Sequence, residues 1–248
     1  MADPGLLILG GTTLGAGLAH LTGPGQRVIY SLAGRTKARP IAHVITRSGG
    51  FGGAEALAAY LAENNITAVV DATHAHAAEI GRNSEIACRM AKVPLLRLEE
   101  PPWQLEQGDH WIAVETIVQA RDVAVTMAAR TFVTTGRQDM MPFASEMGCW
   151  WLARVIAPGT DLPPLDNGDY IFGRGPFELA DETALLRKYE IGAVISKNAG
   201  GAATYAKIAA ARDLALPVIM ISRPPPVKAQ TVSTTDAAIV WLALTLGA

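Results

Sequence analysis

Leu6-Leu7-Ile8-Leu9-Gly10-Gly11-Thr12-Thr13-Leu14-Gly15 decides how the chain is read. Four apolar residues run directly into two glycines and two threonines, and Leu14, Leu18 and Leu21 then follow at helical spacing. This pattern predicts a buried strand, a tight glycine turn and the N-terminus of a helix. Such a turn leaves backbone N–H groups unpaired and sets the positive end of the helix dipole above the strand. A phosphate suits that position.

Outward from this turn the same alternation continues. Arg27 to Ser31 reads as a second strand and runs into Leu32-Ala33-Gly34-Arg35-Thr36-Lys37-Ala38-Arg39-Pro40. In an NAD-binding unit, an Asp or Glu near the end of the second strand accepts hydrogen bonds from the adenosine ribose. No acid stands here. Ser31, Arg35, Thr36, Lys37 and Arg39 offer donors and positive charge instead, which suits the 2′-phosphate of NADPH. A solvated basic loop is the alternative reading. Ile41 to Thr46 is a further short strand, and Ser48-Gly49-Gly50-Phe51-Gly52-Gly53 is either a backbone close to a ligand or a turn before a helix.

Thr67 to Val70 is a buried strand ending in Asp71-Ala72-Thr73-His74-Ala75-His76-Ala77. Asp71, Thr73, His74 and His76 therefore fall at a strand's carboxyl end, the rim on which open α/β sheets bind ligands. Two His and an Asp also raise a metal site. His74 and His76 are only two apart, however, and no acid or Cys cluster completes a site, so no metal is expected. Pro94 to Leu98 is a fourth strand, and Pro101-Pro102 ends the first sheet.

The second half repeats the rhythm. Glu115 to Ala129 reads as helix, Thr131 to Thr134 as strand, Trp150 to Ile156 as strand, Asp161 to Gly175 as a loop, and Thr183 to Tyr189 as helix. Ala193 to Ser196 and Pro217 to Ile221 are strands, and Ser233 with Asp236 reads as a capping box for a last helix. Arg137, Arg174, Lys197 and Arg223 each follow a strand or sit in a glycine loop. Gly200 and Gly201 are expected to open a helix as a second anion seat. Strands alternating with helices predict an α/β protein of two Rossmann-like domains with mostly parallel sheets facing a shared cleft. The expected domains are 1–112, holding the cofactor, and 113–248, holding the substrate.

Composition narrows the function. Half of the 248 residues are hydrophobic and the formal net charge is −2, which suits a compact globular protein and disfavours a nucleic-acid partner. Cys88 and Cys149 lie far apart without metal-ligand spacing and are expected to be buried spectators in a reducing compartment. No signal peptide is evident, and the apolar run from Ala237 to Leu244 falls short of the roughly 20 residues that span a bilayer. A cytoplasmic protein with no membrane partner is expected, its oligomeric state open.

Eight segments, in order, resemble one family: Gly10-Gly11-Thr12; Ser31-Leu32-Ala33-Gly34-Arg35-Thr36; Gly49-Gly50-Phe51-Gly52-Gly53; Asp71-Ala72-Thr73-His74; Pro94-Leu95-Leu96-Arg97-Leu98-Glu99; Thr134-Thr135-Gly136-Arg137-Gln138; Arg174-Gly175-Pro176-Phe177; and Lys197-Asn198-Ala199-Gly200-Gly201. The chain resembles the precorrin-6A reductases of the corrin branch of vitamin B12 biosynthesis, from Leu6 to about Pro224. It departs from them twice. Thr13-Leu14-Gly15-Ala16 lacks the acid those proteins often carry after Gly-Gly-Thr, and Thr73-His74-Ala75-His76-Ala77 replaces their usual Thr-His-Pro-Phe-Ala.

The resemblance implies NADPH-dependent reduction of one double bond in a tetrapyrrole macrocycle that carries many carboxylates. Under it, Gly10, Gly11, Thr12 and Thr13 seat the pyrophosphate. Ser31, Arg35 and Thr36, with Gly34 in the same loop, hold the 2′-phosphate. Asp71, Thr73 and His74 lie at the nicotinamide end, with His74 as candidate proton donor. Arg137, Arg174, Lys197, Asn198, Gly200 and Gly201 receive substrate carboxylates. The competing readings are a cobalt-containing substrate, a non-redox synthase on an acidic tetrapyrrole, and a nucleotide-sensing binding protein.

Overall fold

The computed structural model describes residues 3–34, 40–159 and 161–247. Within them the chain forms two compact units, 1–101 with 225–248 and 102–224.

In the first unit, β1 (Gly5–Leu9), α1 (Thr13–Leu21), β2 (Arg27–Leu32), β3 (Val44–Ser48), α2 (Ala54–Glu63), β4 (Ile66–Asp71), α3 (Ala78–Ala91) and β5 (Leu95–Leu98) follow one another. The second unit begins with β6 (His110–Val114) and α4 (Ile117–Met127). It continues through β7 (Arg130–Val133), β8 (Trp150–Val155), β9 (Gly168–Phe172), α5 (Leu179–Lys188), β10 (Ala193–Lys197), α6 (Ala206–Asp213) and β11 (Pro217–Ile221). The chain then returns to the first unit for β12 (Gln230–Val232) and α7 (Thr235–Leu246).

The strand orders are β12-β5-β4-β1-β2-β3 and β6-β11-β10-β7-β8-β9. Every strand pair given is parallel. Read from β1 and from β7, both sheets have the doubly wound order, which reverses between β1 and β4 and between β7 and β10. Only the sixth strand differs in origin. β6 directly follows β5 in the chain yet pairs with β11, and β12 directly follows β11 yet pairs with β5.

This exchange corrects the expected domains. The chain divides after 101 and again after 224, not at 112/113. The segment around Trp111, which the expected boundary leaves in the first domain, is strand β6 of the second unit. The last helix belongs to the first unit because Ala238 and Leu242 pack on Leu6, Ile8, Val70 and Leu98.

Parallel strands covered on both faces explain the runs of apolar residues. In β1, Leu6 and Ile8 face α1 and α7, while Leu7 and Leu9 face α2 and α3. In the second unit, Val133, Trp151 and Ile195 lie on the α4 face, and Phe132, Leu152 and Val194 lie on the face of α5 and α6.

Helix ends follow local chemistry. Thr12 caps α1 by accepting from Gly15 N–H, and Thr116 with Gln119 forms a capping box on α4. The cap of α7 is Thr234, which accepts from Ala237 N–H, so the expected Ser233/Asp236 box does not form. The expected loop 161–175 contains β9, and α6 starts at Ala206, so Gly200 and Gly201 do not open a helix.

Candidate functional site

The two switch points gather most of the residues singled out in the sequence. In the first unit, the turn after β1 is fixed by contacts that only glycine allows. Gly10 N–H donates to Ser31 O at 2.8 Å, and a Cβ on Gly10 would overlap the Tyr30 ring. Gly11 has φ +128°. Thr12 Oγ1 donates to Ala72 O at 2.8 Å and accepts from Gly15 N–H at 3.1 Å. That hydroxyl ties the turn to the end of β4, so Thr12 shapes the seat and its hydroxyl is already spent. Thr13 and Leu14 then supply the first backbone N–H groups of α1, which helix geometry leaves without intrahelical partners.

Ser31, at the end of β2, is 5% exposed and its Oγ accepts from Arg47 Nη1 at 2.7 Å. Arg47 sits opposite Ser31 on β3. Its guanidinium also donates to Gly49 O and Gly50 O at 3.0 and 3.1 Å and stacks 3.9 Å above the Phe51 ring. Gly34 has φ +88° and packs on Gly49. Arg35 and Thr36 lie outside the described residues.

Asp71 departs from the expected direct contact. Its carboxylate is fully buried, 2.8 Å from Arg97 Nη1, and accepts from Thr73 N–H at 3.0 Å and Thr73 Oγ1 at 2.7 Å. Arg97 also donates to Thr73 Oγ1 at 3.1 Å, and through Nε and Nη2 to Glu99 Oε2. Asp71 and Thr73 therefore form a buried clamp that fixes the segment carrying His74. His74 is exposed, and its Nδ1 accepts from His76 N–H at 3.1 Å. With Nδ1 accepting, the neutral ring carries its proton on Nε2. Burial, with the charge of Asp71 second, pushes the Cys88 thiol up to about 12, as an inert core thiol.

In the second unit Arg137 and Lys197 are each paired with an aspartate. Arg137 Nη1 lies 2.6 Å from Asp161 and Nη2 donates to Ala157 O at 2.7 Å; Lys197 Nζ lies 2.6 Å from Asp139. Arg174 is exposed. Thr135 Oγ1, next to Gly136 at φ +95°, is buried without a partner among the described residues.

The segment after β10 is held from behind. Asn198 clasps the Trp103 backbone, accepting from its N–H at 2.8 Å and donating to its O at 3.1 Å. Trp103 Nε1 donates to Gly201 O at 2.7 Å, and Arg223 donates to Asn198 O and Ala199 O. Phe177 N–H donates to Ala203 O and Lys207 Nζ to Thr204 O. The carbonyls of Asn198, Ala199, Gly201, Ala203 and Thr204 are thus occupied. The backbone N–H groups of Gly200 to Thr204 have no acceptor among the described residues. Asn198 shapes this loop through Trp103; its amide is already used.

The sequence reading missed Arg47, Arg97, Trp103, Asp139 and Asp161. Arg97 alone had a clear signal, because an arginine inside the apolar strand Leu95-Leu96-Arg97-Leu98 needs a carboxylate partner once buried. Among the described residues no three His, Cys, Asp or Glu side chains gather as a metal site requires, and no helix is long and apolar enough to cross a membrane.

The model of the precorrin-6x reductase CbiJ/CobK family matches residues 5–243. A precorrin-6A reductase of Rhodococcus erythropolis is 40% identical over 243 residues, covering 96% of each chain. A cobalt-precorrin-6A reductase of Priestia megaterium is 28% identical over 177 residues, covering 66% of this chain and 68% of its own. Among solved structures, one of CobK precorrin-6A reductase superposes with a TM-score of 0.88 at 37% identity, covering 98% of this chain and 97% of the other.

Proposed function

The chain belongs to the precorrin-6x reductase family, and from that premise we propose that it reduces one double bond of precorrin-6A with NADPH, giving precorrin-6B. It is an oxidoreductase acting on a CH–CH group of a precorrin in cobalamin biosynthesis. The finer assignment rests above all on one observation. The crevice between β1 and β4 pairs a glycine turn with the start of a nine-residue helix, and no acid stands where an NAD-binding unit holds the ribose.

The residues present fit the cofactor. Gly10 and Gly11 let the backbone approach a pyrophosphate, and Thr13 and Leu14 offer N–H groups to it. Ser31, at the end of β2, and Gly34, just after it, are assigned to the 2′-phosphate, with Arg35 and Thr36 joining them on the sequence alone. Bound NADPH supplies a hydride to a ring carbon. His74, on the segment fixed by the Asp71–Thr73–Arg97 clamp, takes a proton from solvent to become the imidazolium, releasing its Nδ1 contact with His76 N–H. It then gives the Nε2 proton to the neighbouring carbon and is left neutral; solvent is the alternative donor. Arg137, Arg174, Lys197 and the N–H groups of Gly200 and Gly201 receive the macrocycle's carboxylates, and Asn198 sets the loop that presents them. Holding reactants in register supplies much of the rate.

A metal-free substrate is favoured over the cobalt-containing one. The relative named for precorrin-6A is 40% identical over almost the whole chain, against 28% over two thirds for the cobalt relative. The test follows nicotinamide absorbance on adding each macrocycle. Stoichiometric NADPH oxidation with precorrin-6A, and a much slower rate with the cobalt form, is the expected result. NADPH left unoxidised by both would reject the reading in favour of a non-redox tetrapyrrole enzyme or a nucleotide sensor.

A further inference from the structure

We propose that Arg47, acting with Ser31, is the residue that selects a 2′-phosphorylated dinucleotide over its unphosphorylated counterpart. The inference rests on the reading that the first unit holds NADPH.

The charge balance is the starting point. From Ser31 to Gly53 the sequence holds no Asp or Glu, but it holds Arg35, Lys37, Arg39 and Arg47. Arg47 forms no ion pair among the described residues, and the undescribed residues 35–39 contain no acid that would supply one. It is only partly exposed, and its printed hydrogen bonds go to neutral oxygens: Ser31 Oγ, Gly49 O and Gly50 O. A part-buried guanidinium that no carboxylate neutralises favours an anionic ligand.

The geometry says which anion. Arg47 pairs in register with Ser31, at the carboxyl end of β2, where the adenosine ribose of a dinucleotide lies in a doubly wound sheet. The guanidinium is already oriented. Phe51 covers one face, and three oxygens take two of its nitrogens, Nη1 and Nη2. The Nε N–H and a second Nη2 N–H remain for a ligand.

Ser31 adds to this. Its Oγ is buried and accepts from Arg47, so its own O–H is left to donate, and no described residue accepts it. A fixed fork beside a free hydroxyl matches a monoester phosphate, which carries close to two negative charges at neutral pH.

The experiment measures binding of adenosine 2′,5′-bisphosphate and of 5′-AMP to the full chain by titration calorimetry. The wild-type protein should prefer the bisphosphate by at least about tenfold. Arg47→Met keeps a stem of similar reach against Phe51 and removes the fork. It should weaken the bisphosphate by about 10- to 100-fold and leave 5′-AMP within twofold. Ser31→Ala should weaken the bisphosphate by a smaller factor, again without touching 5′-AMP.

Equal loss for both ligands, or a preserved preference in Arg47→Met, overturns the proposal and leaves the NADPH reading standing. No preference in the wild-type protein overturns both. If Arg47→Met does not fold, Arg47→Lys decides. It keeps the charge and loses the fork, so a bisphosphate-selective loss supports the proposal and an unchanged preference refutes it.

Discussion

The two units repeat one sheet topology, yet the cations at their rims are partnered differently. On β3, beside the end of β2, Arg47 has no carboxylate partner among the described residues, and the acid is withdrawn into the buried Asp71–Arg97–Glu99 clamp. After β7 and β10 each cation is matched, Arg137 by Asp161 and Lys197 by Asp139. A rim with unspent positive charge is prepared for an anion of fixed shape. A rim whose cations already rest on aspartates must exchange partners to take a ligand, which suits a flexible fringe of carboxylates rather than one phosphate. The shared fold thus positions both rims, and the placing of a few acids sets what each one takes.

Removing the group assigned to chemistry in the first rim should have the largest effect. His74→Ala should lower turnover by about 10²- to 10⁴-fold with little change in KM for the macrocycle. Arg137→Ala in the second rim should raise that KM and spare turnover. Steady-state kinetics with precorrin-6A separates the two, and a loss below threefold for His74→Ala discards its role as the acid.

Next in size is the clamp. Arg97→Met leaves two carboxylates without their cation, Asp71 buried and Glu99 half-buried, and should cost about 3–5 kcal/mol of stability. Hydrogen exchange should register that loss in 3–101 and 225–247 and leave 102–224 protected. A uniform loss over both would break the division between the units.

The second unit contains a counterexample, Lys207. Its ammonium is buried 4.9 Å from the centre of the Trp103 ring, and burial pulls its pKa down to about 7 from 10.5. Below about pH 7 the lysine is charged in both states, so the cost of burying it is present in full. Between about 7 and 10.5 the folded lysine is neutral while the unfolded one still binds a proton, so stability rises with pH. Lys207→Met should therefore exceed the wild-type protein in stability at pH 7. Its advantage should shrink by on the order of 1 kcal/mol per unit as denaturation is repeated up to pH 9. A constant difference would mean that the lysine is not neutralised by the fold.

The smallest effect expected is at Asp139. Asp139→Asn frees Lys197 from its ion pair and should lower KM for the macrocycle by about two- to fivefold, the scale of a half-exposed pair. A raised KM would show that Asp139 positions Lys197 rather than competing for it.

Local pattern carried most of the fold. The β1 turn, the β4 rim and the apolar strands were legible because each is fixed by neighbours in the chain. β12 was not, since Gln230-Thr231-Val232 is three residues long with two polar side chains, and only its pairing with Leu96 to Leu98 makes it a strand. β9 was hidden in a Pro-, Gly- and Asp-rich stretch for the same reason. The domain boundary was missed because pairing across more than 100 residues leaves no local mark.

At the site, the glycines and His74 were visible as types in a pattern. Arg47 and Trp103 were not, because their importance lies in partners, Ser31 and Gly201, that only folding brings beside them. The same holds for the aspartates that neutralise the second rim.

The traded edge strands also bear on how the protein is made. When the ribosome has released residues 1–101, the first sheet has five strands, and part of one face, Leu6, Ile8, Val70 and Leu98, still awaits α7. The second unit is continuous from 102 to 224, so all of its strands have been synthesised before the first unit's sixth strand and last helix. The first half must therefore wait, with an open β5 edge and bare apolar surface, for the last two dozen residues. That interval is when a nascent chain is most exposed to capture by another copy of itself.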